Sequence, residues 1–515
     1  MRTTPAERVG RSAVRADVLG MVVLAGFLVS LNWSTLYVAL PVIVRHFHAG
    51  TLAATFIALT PDCISTALVL VVGRLGDLAG RTRLYVLGLV SFVVASLLLG
   101  AAPTVGWLIA LEVCEGIGIA LVWSNSAALI RDTQPAERLN WSFGLYAAAT
   151  SLAQLLGPTV GGLLADTAGW RWVFWINVPV GVACVLWGRG VLLRQVGGPG
   201  WHRRARHRVA PHLDAGQRPR RPLDLPGGAL LLVGMLGLVA SLSLAESYGV
   251  GPGALVGSAA SIGVLAVFVV VELGASDPLV DLSLFRDRVM SGRLLAGLLG
   301  AMALWVPVLI MALFFQAVQG RSPLAAGLEV MPLSVFAAVT AALTARVGSG
   351  IPRRTVTLTG GLLGSAGLAS LAFAVSGDIA EIAAALALVG AGSGMFSSSY
   401  TNMLLAGAPA EHTGAVNGAR LTIQNLGWMV STVILLTIVT APLAVGVRHE
   451  LFAGTISHRA SPAAAAALIG SYRTGFLVTA ALGLAGSAAL ALCPRTRLRR
   501  SARSPVPPPC DPPPL

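Results

Sequence analysis

Apolar residues are gathered into fourteen stretches, each about 18 to 25 residues long, the length needed to cross about 30 Å of hydrocarbon. They run over residues 18–41, 52–73, 84–101, 106–130, 142–165, 172–193, 227–246, 254–272, 292–316, 326–346, 355–376, 380–405, 414–441 and 472–493. Polar and Arg-bearing segments separate them. The pattern predicts an all-α integral membrane protein whose helices all cross the bilayer.

Composition points the same way. Of 515 residues, 55% are hydrophobic and only 11% charged, and the mean hydropathy is +0.78. A water-soluble protein of this size would lack the polar side-chain area to cover its surface. All 36 basic residues are Arg, giving a net charge of +14. Nucleic acid is not needed to explain that charge, because of where the arginines lie. With the N-terminus inside, 29 of the 36 fall in cytoplasmic segments. Six fall outside, at Arg45, Arg171, Arg321, Arg448, Arg459 and Arg473, and Arg420 lies within a helix. Positive residues collect on the cytoplasmic side of membrane proteins, so both termini are expected there, in the cell membrane. The N-terminal segment lacks a small-residue cleavage site after a short apolar core, so no removable signal peptide is read. The five Cys share no metal-ligand spacing, and no disulfide, metal or other cofactor is expected.

Several motifs organise the apolar runs. Gly157-Pro158-Thr-Val-Gly161-Gly162 places a groove on the fifth helix where a neighbour can approach closely, and Trp170-Arg171-Trp172 stands where the sixth begins. Gly73-Arg-Leu75-Gly-Asp77-Leu-Ala-Gly80-Arg81-Thr-Arg83 links helices two and three. Arg346, Gly348, Gly350, Arg353 and Arg354 form a worn second copy without its acid, as an internal repeat would leave. Together with Asp224-Leu-Pro226-Gly227, Glu272, Asp277 to Arg286, and Phe315-Gln316 to Pro332, these residues resemble the fourteen-helix drug:proton antiporter branch of the major facilitator superfamily, over about residues 18–493.

The resemblance implies two six-helix bundles with a two-helix central insertion. The expected divisions are a cytoplasmic tail (1–17), an N-terminal bundle (18–195), a basic linker (196–226), the inserted hairpin (227–273), a C-terminal bundle (274–493) and an Arg/Pro-rich tail (494–515). It also implies roles in conformational change for Gly73, Asp77, Gly80, Arg81, Arg83, Gly157, Pro158, Gly161 and Gly162. In the family the loop Asp accepts hydrogen bonds from helix ends and Arg across the domain interface, latching the outward-facing state.

The coupling positions depart from that branch. Its first helix usually reads Leu-Asp-x-Thr, and its fourth places an Arg four residues before a Gly-x-Gly pair. Here the corresponding residues are Asn32 and Glu112, and the second helix carries Asp62 directly after Pro61. A charge near mid-membrane costs about 2.5–3.5 kcal/mol or more, so Asp62, Glu112 and Glu115 require an explanation. At about 1.5 Å per residue, Asn32, Glu112 and Asp62 lie roughly 13, 9 and 15 Å below the outer ends of their helices, depths that could coincide. Three readings stand: acids that load and release protons as access alternates, neutral acids hydrogen-bonded to helix carbonyls, or, for Glu112, a place near the outer interface.

In the second half Arg420, with Asn417, Gln424 and Asn425 at helical spacing, forms the main polar stripe. Arg420 either orients substrate or pairs with an acid, or it snorkels to the cytoplasmic interface about 9 Å away. Asn32, Trp33, Tyr37, Trp123, Trp305, Gln316, Arg420 and Gln424 are the candidates for lining the substrate cavity, against packing as the alternative for each aromatic. All eight His lie between the apolar runs, which disfavours a His relay. No phosphate-binding loop or nucleophile elbow appears, so neither ATP-driven export nor an enzyme is expected. The leading expectation is a monomeric secondary transporter exporting a small, lipophilic drug or metabolite in exchange for protons. A facilitator or uptake carrier, and a non-transporting sensor on the same fold, are the alternatives.

Overall fold

The computed structural model describes residues 5–196, 224–249, 251–275, 287–346, 351–406, 413–441, 443, 448–455 and 462–494. Among these it contains 14 helices long and apolar enough to cross a membrane. The first half comprises α1 (Pro5–Phe47), α2 (Thr51–Ala79), α3 (Arg81–Gly100), α4 (Val105–Thr133), α5 (Leu139–Thr167), a short α6 (Arg171–Trp175) and α7 (Asn177–Val196). Then come the inserted pair, α8 (Leu225–Tyr248) and α9 (Pro252–Gly274). The second half comprises α10 (Arg288–Leu304), α11 (Pro307–Ala317), α12 (Pro323–Arg346), α13 (Arg353–Ala374), α14 (Ile379–Ala406), α15 (Thr413–Thr440), the short α16 (Arg448–Phe452) and α17 (Pro462–Leu492).

Two crossings are broken rather than continuous as expected. The sixth pauses at Ile176 between α6 and α7, and the ninth at Trp305 between α10 and α11, one residue before Val306 and the helix-initiating Pro307. Pro lacks a backbone N–H and crowds the preceding turn, which accounts for the second break. The first helix continues six residues beyond its expected end at 41, through Pro41 to Phe47, and so takes His46 into its last turn. His449 likewise lies inside α16.

Because successive crossings alternate in direction, the start of α1 and the end of α17 share one end of the bundle, here called the terminal end; the opposite one is the distal end. The two halves meet at the distal end and at mid-depth. Gln316 Nε2 of α11 donates to the Val38 carbonyl of α1 at 3.0 Å. Asn425 Nδ2 of α15 donates to Thr66 Oγ1 of α2 at 2.9 Å, and Cys63 Sγ lies 3.3 Å from Met429 Sδ. Helix α16 packs on α1, α2 and α11, at the distal mouth between the halves. The inserted hairpin seats α8 against both α2 and α15, closing one flank of the seam. Asp224 caps α8 by accepting from the Gly227 N–H at 2.9 Å.

Candidate functional site

One turn and a half of α1, Asn32 to Tyr37, touches two of the three buried acids of the first half and the Gly-Pro helix. Its neighbours reach it because two helices approach unusually closely. A side chain on Gly116 of α4 would collide with Pro61 and Ile64 of α2, so the absence of one draws the Glu112–Glu115 turn of α4 against the Pro61–Asp62 turn of α2.

Asn32 Nδ2 donates to Glu115 Oε2 at 3.1 Å, and Ser96 Oγ of α3 donates to Glu115 Oε1 at 2.9 Å. Asn177 Nδ2, at the start of α7, donates to Asn32 Oδ1. Three helices thus meet on one carboxyl group, with α7 joined to it through Asn32 and Glu115 fully enclosed. Next along α1, Trp33 Nε1 donates to Asp62 Oδ2 at 2.9 Å and the Tyr37 hydroxyl donates to the same oxygen at 3.4 Å. The rings of Trp33 and Tyr37 also close with Trp428 of α15, their centroids 5.2 to 5.8 Å apart. This three-ring cluster spans the seam between the halves, within the range of favourable edge and tilted packing.

Glu112 stands apart from these acids. It is fully buried, and neither of its carboxyl oxygens has a hydrogen-bond donor among the described residues. The acids facing it are Glu115, one turn along the same helix, and Asp62. Burying a carboxylate without a donor is far costlier than burying a protonated carboxyl.

The same α1 residues rest on the Gly-Pro helix. Gly157 of α5 packs on Ser34 and Gly161 on Thr35, with no room for a Cβ at either position. Ser34 Oγ donates to the Gln154 carbonyl at 3.2 Å. Gly162 faces the other way, against Pro323 and Leu324 of α12, and Gly327 of α12 packs in turn on Pro158 and Thr159. One motif therefore serves two seams: Gly157 and Gly161 within the first half, Pro158 and Gly162 between the halves.

In the second half, Arg420 is held by neutral oxygens. Its Nε and one terminal nitrogen donate to Asn417 Oδ1 at 3.2 and 3.0 Å, and the other terminal nitrogen donates to Gln424 Oε1 at 2.8 Å and Thr401 Oγ1 at 3.3 Å. None of these partners is an acid. Two members of the candidate cavity set lie elsewhere. Trp123 packs into the interior of the first half with Val18, Val22 and Ile119, and Trp305 occupies the break between α10 and α11.

At the terminal end, Gly80 joins α2 to α3 with φ +97°, a conformation that favours glycine. Gly73 and Gly76 lie against Ser124 and Asn125 of α4. Arg81 pairs with Asp132 of α4 at 2.7 Å, and Arg83 is exposed. Asp77 lies on the last turn of α2, and its side chain is outside the described residues. In the worn copy, Arg354 donates to the Leu490 and Ala491 carbonyls at 2.9 and 2.7 Å, capping α17; Gly348 and Gly350 fall outside the described residues. Among the described residues no cluster of His, Cys, Asp and Glu could hold a metal ion.

Ser96, Asn177, Thr401 and Trp428 belong to these networks but not to the candidate sets. A single Ser or Thr in a membrane helix carries no distinguishing signal. Asn177 carried one, an amide beside an aromatic cluster at a helix start.

Comparison with known proteins agrees with this architecture. Residues 22–432 match the Major Facilitator Superfamily. The chain is 28% identical over 435 residues to the multidrug resistance protein Stp of Mycobacterium tuberculosis, covering 82% of this chain and 76% of that one. It is 32% identical over 449 residues to a probable actinorhodin transporter of Streptomyces coelicolor, covering 83% and 72%. Among solved structures, a bacterial homologue of the human lysosomal transporter Spinster, inward-facing and occupied, superposes with a TM-score of 0.62 at 16% identity, covering 93% of this chain and 96% of that one.

Proposed function

The chain belongs to the major facilitator superfamily, whose members are transporters and not enzymes, and we propose that it exports a small amphiphilic drug or metabolite in exchange for protons. The observation that carries this reading is the α1 junction. The residues that hold the buried acids, Asn32 and Trp33, are followed directly by those packed on the Gly-Pro helix, Ser34 and Thr35. The names of the relatives are consistent with it, since Stp is named for multidrug resistance and the Streptomyces coelicolor relative as a probable actinorhodin transporter.

In this reading Glu112 and Glu115 share a proton in the resting protein. Two carboxyls on one face of a helix, buried together, tolerate one negative charge far better than two. Glu115 carries that charge because Asn32 and Ser96 donate to it, and Glu112 holds the proton. Asp62 carries the second charge, stabilised by Trp33 and Tyr37. Losing or gaining a proton changes what Asn32 and Trp33 bind, and the shift of α1 is passed to α5 at Gly157 and Gly161. Across the seam, Gly162 and Gly327 then separate or close the distal mouth. A substrate entering between Trp33, Tyr37 and Trp428 competes for the same α1 surface, which links binding to protonation.

The Arg asymmetry supports placing the terminal end in the cytoplasm, so that the packed distal end faces outward. The expected division into tail, six-helix bundle, linker, hairpin, second bundle and tail is carried forward with it, as are the plasma membrane location and a monomeric protein. Transport into inverted membrane vesicles, with and without an imposed pH gradient, tests the reading. An exporter coupled to protons accumulates substrate only with the gradient; a facilitator equilibrates it without one; a sensor does neither.

A further inference from the structure

The buried charges of the two halves do not match. Three acids sit in the first half, whereas the second half presents the guanidinium of Arg420 with neutral oxygens from Asn417, Gln424 and Thr401 around it. Those contacts use four of its hydrogen-bonding directions and supply no negative charge. An arginine about two turns inside a membrane helix, without a counter-ion among the described residues, is a costly arrangement to keep.

Snorkelling does not account for it. A snorkelling side chain would extend along α15 toward the terminal end. Here one terminal nitrogen turns back to Gln424, a turn deeper, and across to Thr401 of α14. Arg420, Gln424 and Trp428 follow one another at four-residue spacing, so they occupy one side of α15. Trp428 on that side reaches Trp33 and Tyr37 of the first half. Arg420 therefore lies about 12 Å from the ring cluster toward the terminal end, with its guanidinium turned to Thr401 of α14. It is only partly buried, whereas Gln424 beside it is fully enclosed.

Resting on the export reading, we propose that Arg420, organised by Asn417, Gln424 and Thr401, is an anion subsite, and that the transported compound is an aromatic acid or zwitterion whose carboxylate, phenolate or enolate meets this guanidinium. The planar fork suits a carboxylate or a pair of oxygens on one ring, and such an anion supplies the negative charge that the amide and hydroxyl oxygens around Arg420 lack. The aromatic body of the same molecule reaches the Trp33, Tyr37 and Trp428 cluster. A permanently cationic compound gains nothing at Arg420 and is repelled by it.

Two xanthene dyes of one ring system test this on the purified full-length protein: fluorescein, an anion, and rhodamine 6G, an ester cation. The ratio of their affinities is read by fluorescence anisotropy. The wild-type protein should favour fluorescein. Arg420→Gln should lower the anion-to-cation ratio at least tenfold, and Arg420→Lys, which keeps the charge but loses the fork, should lower it less. A wild-type preference for rhodamine 6G, or a ratio within twofold of wild type in Arg420→Gln, would overturn the subsite. Gradient-driven vesicle transport of rhodamine 6G by a chain indifferent to fluorescein would also overturn it while leaving the export reading intact. Arg420-dependent binding of fluorescein without transport in vesicles would support the subsite and contradict the export reading.

Discussion

Asn32 of α1 donates a 3.1 Å hydrogen bond to Glu115 of α4. Where the drug:proton antiporter branch carries an acid on the first helix, this chain carries an amide, and the acid stands across the interface on the fourth. Restoring an acid at position 32 should therefore be harmful unless the one at 115 is removed. Asn32→Asp sets its carboxyl at hydrogen-bond distance from that of Glu115 and should cost about 1–3 kcal/mol of stability, read as a lower melting temperature in detergent. Asn32→Asp combined with Glu115→Gln re-forms a donor-acceptor pair and should recover most of that loss. Equal destabilisation of the single and double variants would show that the bond does not organise the junction.

The loop between α2 and α3 offers a test of the conformational latch. Asp77→Asn should reduce transport severalfold while membrane abundance stays near wild type, since the change opens no core cavity. Full transport by this variant would remove the latch from the account.

Gly162 tests the seam itself. It packs on Pro323 and Leu324, where a side chain has no room, so Gly162→Val should push the halves apart at the distal end. Cys63 is fully buried against Met429 at mid-depth. Its labelling by a membrane-impermeant maleimide from the distal side should rise at least fivefold in the variant. Unchanged labelling would mean that α5 and α12 do not control distal access.

The fourteen crossings were legible because burial in lipid demands long apolar runs, and their number and approximate limits follow from the sequence. The breaks at Ile176 and Trp305 were not, because each lies inside an unbroken apolar run. Asp62, Glu112 and Glu115 stood out as acids where acids are costly, yet the sequence could not say which carboxyl Asn32 would hold. That depends on Gly116, which lets α4 approach α2, and a glycine among many small residues gives no sign of what it touches. Glu115 looked the least notable of the three and is the best hydrogen-bonded. Trp33 and Tyr37 could be placed near one another by their four-residue spacing, but their partner Trp428 lies 391 positions beyond Tyr37 in the sequence. The polar stripe of Asn417, Arg420 and Gln424 was legible by its helical spacing, but Thr401, which joins it from α14, was not.

Orientation is directly testable. Reporter fusions after Arg221 and after Arg497 should both signal cytoplasm, as the distribution of Arg requires. A periplasmic signal from either would overturn the assignment of the terminal end to the cytoplasm.

The central claim is that the buried acids couple export to protons, and its most direct test is substrate accumulation in inverted vesicles by Glu112→Gln, Asp62→Asn and the double variant under an imposed pH gradient. A neutral amide imitates a permanently protonated carboxyl, so substrate binding and exchange should persist. Gradient-driven accumulation should fall at least tenfold in Glu112→Gln or Asp62→Asn and vanish in the double variant. Accumulation with unchanged dependence on the gradient in all three would make these acids structural and contradict the coupling mechanism.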